Sequence, residues 1–419
     1  MSILAHRIKF ELTSWTCLAF SLALLEGGVA GVLIKNGFEG AASDWLLNFA
    51  VAVATGAPFY SNLISFIWVK ISHGRSKALV VSNLAVICCL ATIGMSLVSL
   101  DGFGLVLLLS MLVVARISWS GILTIRSAIW RDNYPRHIRG KVTAKLATLS
   151  AFLMSIAALS AGWILDWKID AFTYLYASFG IFSLFGAWRY RKLSVRHHSR
   201  RLNDEQSSKE KISWIGMFRL LRENKPFGKY MLAMFTLGSG NLMFMAPLIV
   251  FLNEHTELSR ISQVMVTTAI PLALIPVAVN WWARLLDGNH IFRFRAIHSW
   301  GFVFALICFN LAQLVNIWPL FFVGAILYGI AIAGGVIGWN LGHNDFVGKH
   351  RPMDYMAVHV TLTGIRGLLA PIIGISFYQL LESYHKGSGQ WALLLPLTIT
   401  TIGGILFVTF DNQRVKGTL

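Results

Sequence analysis

Residues 14–34 read SWTCLAFSLALLEGGVAGVLI, twenty-one residues with a single charge, Glu26, flanked by Arg7 and Lys9 on one side and Lys35 on the other. As a helix the run is about 30 Å long, the thickness of a bilayer's hydrocarbon core. It exceeds the apolar core of a signal peptide and lacks a small-residue cleavage pattern, so it reads as a retained first span. Eleven further apolar runs of spanning length follow, at about 46–70, 78–100, 104–130, 141–166, 170–190, 228–252, 261–285, 293–315, 319–343, 355–381 and 390–411. Of the 419 residues, 56% are hydrophobic and 13% charged, about half the charged share of a soluble domain. A soluble globular protein is excluded, and the chain is expected to be an all-α membrane protein of twelve transmembrane helices in a lipid bilayer.

The net charge of +17 would suit nucleic acid only if the basic residues shared one soluble face. They alternate instead. Of 36 Lys and Arg, 28 fall in the N-terminus, the gaps after spans 2, 4, 6, 8 and 10, the span edges that border them, and the C-terminus. Four lie in the opposite gaps (Lys35, Lys168, Arg260, Lys386) and four deeper inside spans (Arg116, Arg126, Lys145, Arg366). The excess of positive charge marks the cytoplasmic side, so both termini are expected there and nucleic acid is not an expected partner. Short basic loops without a targeting sequence point to a bacterial inner membrane. Cys17, Cys88, Cys89 and Cys308 all fall within apolar runs, with no metal spacing, and read as small buried hydrophobes.

The longest connection, about Arg191 to Pro226, divides the chain into two sets of six spans. The expected units are residues 1–190 and 228–419, joined by a cytoplasmic linker over 191–227. Within the linker, Ile212, Ile215, Met217, Phe218, Leu220 and Leu221 suit either a helix lying on the membrane surface or a solvated connection. An internal repeat supports the division. Trp68, Lys70 and Gly74 recur as Trp282, Arg284 and Gly288, an offset of 214. The same offset within a residue aligns Thr148-Leu149-Ser150-Ala151 with Thr361-Leu362-Thr363-Gly364, and Val32-Leu33-Ile34 with Pro247-Leu248-Ile249. An offset near half the chain is expected of parallel six-helix repeats.

Twelve spans as 6+6, a long basic central loop and basic turns after spans 2 and 8 together resemble the major facilitator superfamily (MFS). In the family's turn motif, Gly-x-x-x-Asp-Arg-x-Gly-Arg-Arg, Gly74, Arg75 and Lys77 fill the last Gly, the first of the two final Arg and a neighbouring basic place, while Ile71 and Ser72 stand where Asp and Arg belong. Arg284 and Gly288 repeat the turn in the second half. Arg116 with Gly121 resembles the inward Arg and nearby Gly of many family members' span 4. The Gly-Pro-x-x-Gly-Gly pattern of antiporters is absent from span 5, though Ala370-Pro371-Ile372-Ile373-Gly374 in span 11 is similar. The resemblance implies two pseudo-symmetric six-helix bundles, a monomer, and a small solute moved by alternating access through a central cavity that spans 1 and 4 help to line.

Charges inside the membrane are the strongest functional leads, because each costs several kcal/mol, from about 2.5 upward, unless it meets a partner or a cavity. Glu26 lies about 20 Å along span 1 and Arg116 about 21 Å along span 4 from the cytoplasmic side. The depths match, so the two are expected either to pair or to bond backbone and water separately. Arg366 lies about 16 Å into span 11 with no carboxylate at similar depth in the second half. It suits a carboxylate or phosphate on a substrate, unless it serves backbone carbonyls near Gly364, Gly367 and Pro371. Asn241 aligns with Glu26 through the repeat, within Gly238-Ser239-Gly240-Asn241, where the chain could approach closely or unwind, or the glycines could simply pack helices together. Arg126 and Lys145 lie nearer the span ends, where they can snorkel, and read as structural.

His343, Asp345 and His350 near the end of span 10 form a polar end or gate, their spacing matching no closed metal site. His298 and His359 read as satisfied buried histidines, with His359 a candidate for coupling. The expected substrate-binding set is Glu26, Arg116, Asn241 and Arg366; the coupling or gating set is Glu26, His343, Asp345 and His359. No Walker motif and no catalytic signature occur, so neither ATP-driven transport nor an enzyme is expected, and no cofactor or metal. The alternative is a non-transporting membrane protein of the same fold, such as a sensor, lipid-handling protein or assembly factor.

Overall fold

A computed structural model of the chain describes residues 3–196, 199, 202, 214–347 and 352–418. Among the described residues all regular structure is helical. Twelve spans cover Leu4–Gly37, Asp44–Ser72, Lys77–Met95, Gly102–Asn133, Ile138–Trp167, Ile169–Arg191, Lys225–Glu254, Arg260–Asp287, Ile291–Val315, Pro319–Phe346, Tyr355–Tyr384 and Ser388–Val415. An even number of crossings puts both chain ends on one face, here the terminal face.

The first six spans pack chiefly among themselves: span 6 on spans 1 and 3, and span 3 on span 4. The last six do likewise, with span 9 between spans 10 and 12, span 10 on span 8, and span 7 on span 12. The halves meet along spans 2 and 11, spans 5 and 8, and the far ends of spans 1 and 7. Small residues permit these crossings, because backbones in lipid gain mainly from close packing. A β-carbon at Gly56 would stand 2.7 Å from the Gly367 carbonyl oxygen, and one at Gly162 would stand 2.9 Å from Ile261 Cα. Bulk at either position would force the halves apart.

Span 1 is not one helix. It breaks into Ile3–Leu24 and Gly27–Gly37, with Glu26 extended (φ −64°, ψ 138°) as the N-cap of the second piece. Glu26-Gly27-Gly28 explains the site of the break, since two glycines are weak helix formers and a charge at mid-depth seeks a partner. Span 7 runs helically through Gly238-Ser239-Gly240-Asn241 and bends only at Phe244, between Lys225–Met243 and Met245–Glu254. The expected local unwinding at those glycines is thus displaced by one turn. Pro247 accounts for this, because it has no N–H to give the Met243 carbonyl. Span 8 carries a π-helical turn at Met265–Ala269 just before Pro271.

On the terminal face, the linker contains a helix at Trp214–Glu223. Leu220 is buried in the apolar cluster of the second half and Leu221 packs against it. The described end of this helix therefore docks on protein, where a membrane-surface position had been one of two expectations. The side chains of Ile212, Ile215, Met217 and Phe218 lie outside the described residues.

Candidate functional site

The break in span 1 is held open by Arg116. Its Nε donates to the Leu25 carbonyl at 3.0 Å, Nη2 donates to the same oxygen, and Nη2 lies 3.0 Å from Glu26 Oε1. Tyr176 of span 6 donates to the Leu24 carbonyl at 3.1 Å. Carbonyls freed where a helix stops must find donors inside the membrane; Arg116 and Tyr176 supply them. Ion pairing and backbone bonding, separate alternatives in the sequence, are both present in one guanidinium. Arg116 is only 4% exposed, whereas Glu26 is 27% exposed. Arg116 does not line the cavity; it stands behind Glu26, which does.

That cavity, about 430 Å3, lies between the halves. Glu26, Thr55 and Asn62 contribute from the first half, and Asn241, Thr267, Thr268, Arg295, Trp339 and Arg366 from the second. The π-turn of span 8 presents the two threonines, and only glycine fits at position 28 beside them: a β-carbon there would fall 2.0 Å from Thr268 Oγ1. Phe59, Phe302, Tyr328 and Trp339 make much of the remaining wall aromatic. A concave apolar wall with a few polar groups is the usual character of a small-molecule site.

Arg366 is 7% exposed. Nη1 donates to the Met234 carbonyl of span 7 and Nη2 to Thr363 Oγ1 at 3.2 Å. It therefore serves a carbonyl, but on span 7 and not in the Gly364–Pro371 region of its own helix. Gly238 makes room for it, as a β-carbon there would stand 2.0 Å from Nη1. Nε has no partner, and among the described residues no carboxylate lies within ion-pairing distance. The side-chain oxygen of Asn241 and the hydroxyl of Thr268 are likewise buried without partners.

Arg295, from sequence one of the basic residues at the edge of span 9, is a cavity residue. Span 9 begins at Ile291, so Arg295 sits one turn inside it, 2% exposed, its Nη1 3.2 Å from His298 Nδ1 and its Nε unpartnered. Its signal was the i, i+3 spacing of Arg295 and His298, which places both on one face of the helix. His298 is satisfied, with Nε2 2.7 Å from the Ala331 carbonyl. His359 is not: it is fully buried against Trp339 and Tyr230, with no partner on either nitrogen.

Other expected residues lie elsewhere. Asp345 accepts from the backbone N–H of Ile291 at 2.7 Å and so caps span 9 at the terminal face. His343 is buried nearby with Nδ1 unpartnered; His350 lies outside the described residues. In the turn after span 2, Gly74 takes a positive φ of 64°, where glycine is unstrained, and Lys77 donates to the Ser72 carbonyl. Arg75, Arg284 and Gly288 are exposed on the terminal face. Arg126 does not snorkel. It stacks over Trp15 and Trp130 at 4.8 and 4.6 Å beside buried Glu11, which accepts from Tyr134, Tyr190 and Trp130. Glu11 is a second buried carboxylate of span 1 that sequence reading passed over. Lys145 is exposed.

On the face opposite the termini the halves are tied together. Lys35, at the end of span 1, lies 2.5 Å from Glu254 of span 7 and donates to Asn48 of span 2 at 2.8 Å. Tyr378 of span 11 donates to Glu254 at 2.7 Å. Asp166 of span 5 accepts from the backbone N–H groups of Arg260 and Ile261 at 2.6 and 3.1 Å, capping span 8 across the interface. On the terminal side, by contrast, the lining runs on to Asn62, Trp339 and Asn340, and the last two turns of span 2 pack on span 4 of their own half. The cavity's lining thus extends toward the terminal face, while these ties lie on the other, where Lys35, Asn48, Glu254 and Tyr378 line a separate cleft.

The profile described as Major Facilitator Superfamily matches residues 15–371. Among solved structures, a D-xylose-proton symporter superposes with a TM-score of 0.74 at 14% identity, over 98% of each chain. A bacterial homologue of the human lysosomal transporter Spinster, in an inward-facing and unoccupied conformation, gives 0.71 at 14% identity over 99% of each. A nucleoside transporter gives 0.67 at 14% identity, covering 97% of this chain and 99% of that one. No curated protein matches the chain in sequence.

Proposed function

The chain belongs to the major facilitator superfamily, and on that premise we propose that it is a secondary transporter carrying a small anionic solute through the cavity between its halves. The observation that carries this reading is Arg366: a buried guanidinium on the cavity wall with an unpartnered Nε and, among the described residues, no carboxylate in reach. An isolated buried cation is costly unless a counter-charge arrives, and the planar fork of Arg suits carboxylate or phosphate. Glu26 is engaged by Arg116, so it serves as a fixed wall of the site while the solute's charge is met by the second half. The basic excess supports a cytoplasmic terminal face, in a bacterial inner membrane, which makes the cavity inward-open. Release of the Lys35–Glu254 tie, with closure around Asn62 and Trp339, is then the step that would expose the site outward.

The test is uptake by proteoliposomes. Saturable exchange of an organic anion, lost in Arg366→Gln and weakened in Arg366→Lys, is the expected result. Saturable transport of a permanent cation that survives Arg366→Gln would overturn the reading. Binding of a partner protein with no solute moved would favour a non-transporting role.

A further inference from the structure

The second half presents two buried arginines to one cavity, and nothing on that wall balances them. Arg295 and Arg366 belong to different spans, 9 and 11, and both line the cavity. Each stands close against a glycine: a β-carbon at Gly338 would lie 2.7 Å from Arg295 Nη2, and one at Gly238 2.0 Å from Arg366 Nη1. They lie within electrostatic reach of each other. Their neighbours are neutral or basic: His298 and the Tyr230 hydroxyl on Arg295, Thr363 and a backbone carbonyl on Arg366, and His359 with both nitrogens unpartnered. The one carboxylate lining the cavity, Glu26, is paired with Arg116. Across the described residues the wall therefore carries two unbalanced positive charges, and the unpartnered N–H groups on it ask for acceptors.

Resting on the anionic reading above, we propose that the solute is a doubly charged anion, a dicarboxylate or a phosphate monoester, with Arg295 as the residue that sets the preference for two charges over one. A monoanion would leave one guanidinium uncompensated in a low-dielectric site. A dianion cancels both and relieves the repulsion between them, and charge interactions there are weakly screened. The aromatic wall of Phe59, Phe302 and Trp339 receives the uncharged remainder.

The experiment uses matched probes on the purified full chain at about pH 8, where phosphate monoesters are fully dianionic. Succinate is compared with its monoamide, and phenyl phosphate with methyl phenyl phosphate, by ligand-dependent thermal stabilisation and titration calorimetry. In at least one pair the dianion is expected to bind about tenfold tighter or more; the pair that responds tells carboxylate from phosphate. Arg295→Gln should erase that preference while leaving monoanion affinity within about threefold, and Arg295→Lys should keep the preference at weaker affinity. Gel filtration with the thermal midpoint of each variant reports folding, and Arg295→Lys tests the assignment even where Arg295→Gln does not fold. Equal affinities within both pairs, or equal losses for monoanion and dianion in Arg295→Gln, would overturn the dianion assignment while leaving an anionic solute standing. Stabilisation by neutral or cationic solutes and by no anion would overturn both.

Discussion

Replacing Arg116 by Gln removes more than an ion pair. In the wild type its guanidinium holds Glu26 at 3.0 Å and gives two donors to the Leu25 carbonyl at the break in span 1. The attraction of unit charges about 3 Å apart is on the order of 5 kcal/mol at an effective dielectric near 20. Desolvation of Arg116 and the partial exposure of Glu26 cut into that figure. A coupling energy of about 2 kcal/mol is expected, within the range measured for touching residues. The Leu25 carbonyl, left without its donors, adds about 1–3 kcal/mol. Arg116→Gln should therefore destabilise the protein by about 3–5 kcal/mol, the usual cost of breaking a buried pair. Glu26→Gln, partly exposed and leaving the Leu25 bonds intact, should cost less. The double variant should be less damaged than the sum of the singles, yet no more stable than about 1–3 kcal/mol below wild type, because the carbonyl stays unserved. Equilibrium unfolding in mixed micelles titrated with dodecyl sulfate measures all four corners of the cycle. Strict additivity, or a double variant as stable as wild type, would refute the reasoning.

Lys35→Met should loosen the opposite-face closure, so that a cysteine at Asn253, on a background freed of native cysteines, reacts faster with an impermeant maleimide; the swap Lys35→Glu with Glu254→Lys should restore slow labelling. No change in rate in Lys35→Met would show that the tie is idle. Gly238→Ala drives a β-carbon into Arg366 Nη1, 2.0 Å away in the ideal geometry, so transport should fall at least tenfold, about 1.4 kcal/mol of barrier, with the protein still monodisperse. Full activity in that variant would mean that the position of Arg366 does not matter. For orientation, a tag after Leu419 should stay unlabelled by an impermeant reagent outside intact cells, and labelling there would invert the assignment of faces.

Composition, apolar run length and a repeat at offset 214 were enough for an all-α chain of twelve spans in two related halves. Each is a one-dimensional signal: the bilayer demands about 20 apolar residues per crossing whatever lies beside them. Glu26, Asn241 and Arg366 were legible as candidates for the same reason, since polarity at mid-depth needs an explanation that no neighbour in sequence supplies. What surrounds them was not legible. That Arg116 would serve both a carboxylate and a broken helix, and stand behind the cavity instead of in it, depends on the facing of spans 1 and 4. Arg295 was hidden because it stands at the edge of its apolar run, where a basic residue reads as part of the span's end and sequence patterns are weakest; span 9 starts at Ile291 and places it one turn inside. The two threonines of the cavity owe their place to a π-turn with no mark in hydropathy. The Lys35–Glu254 and Asp166–Arg260 contacts join residues more than ninety positions apart. Which face is shut is decided by which side chains meet across the halves, a property of the tertiary structure alone.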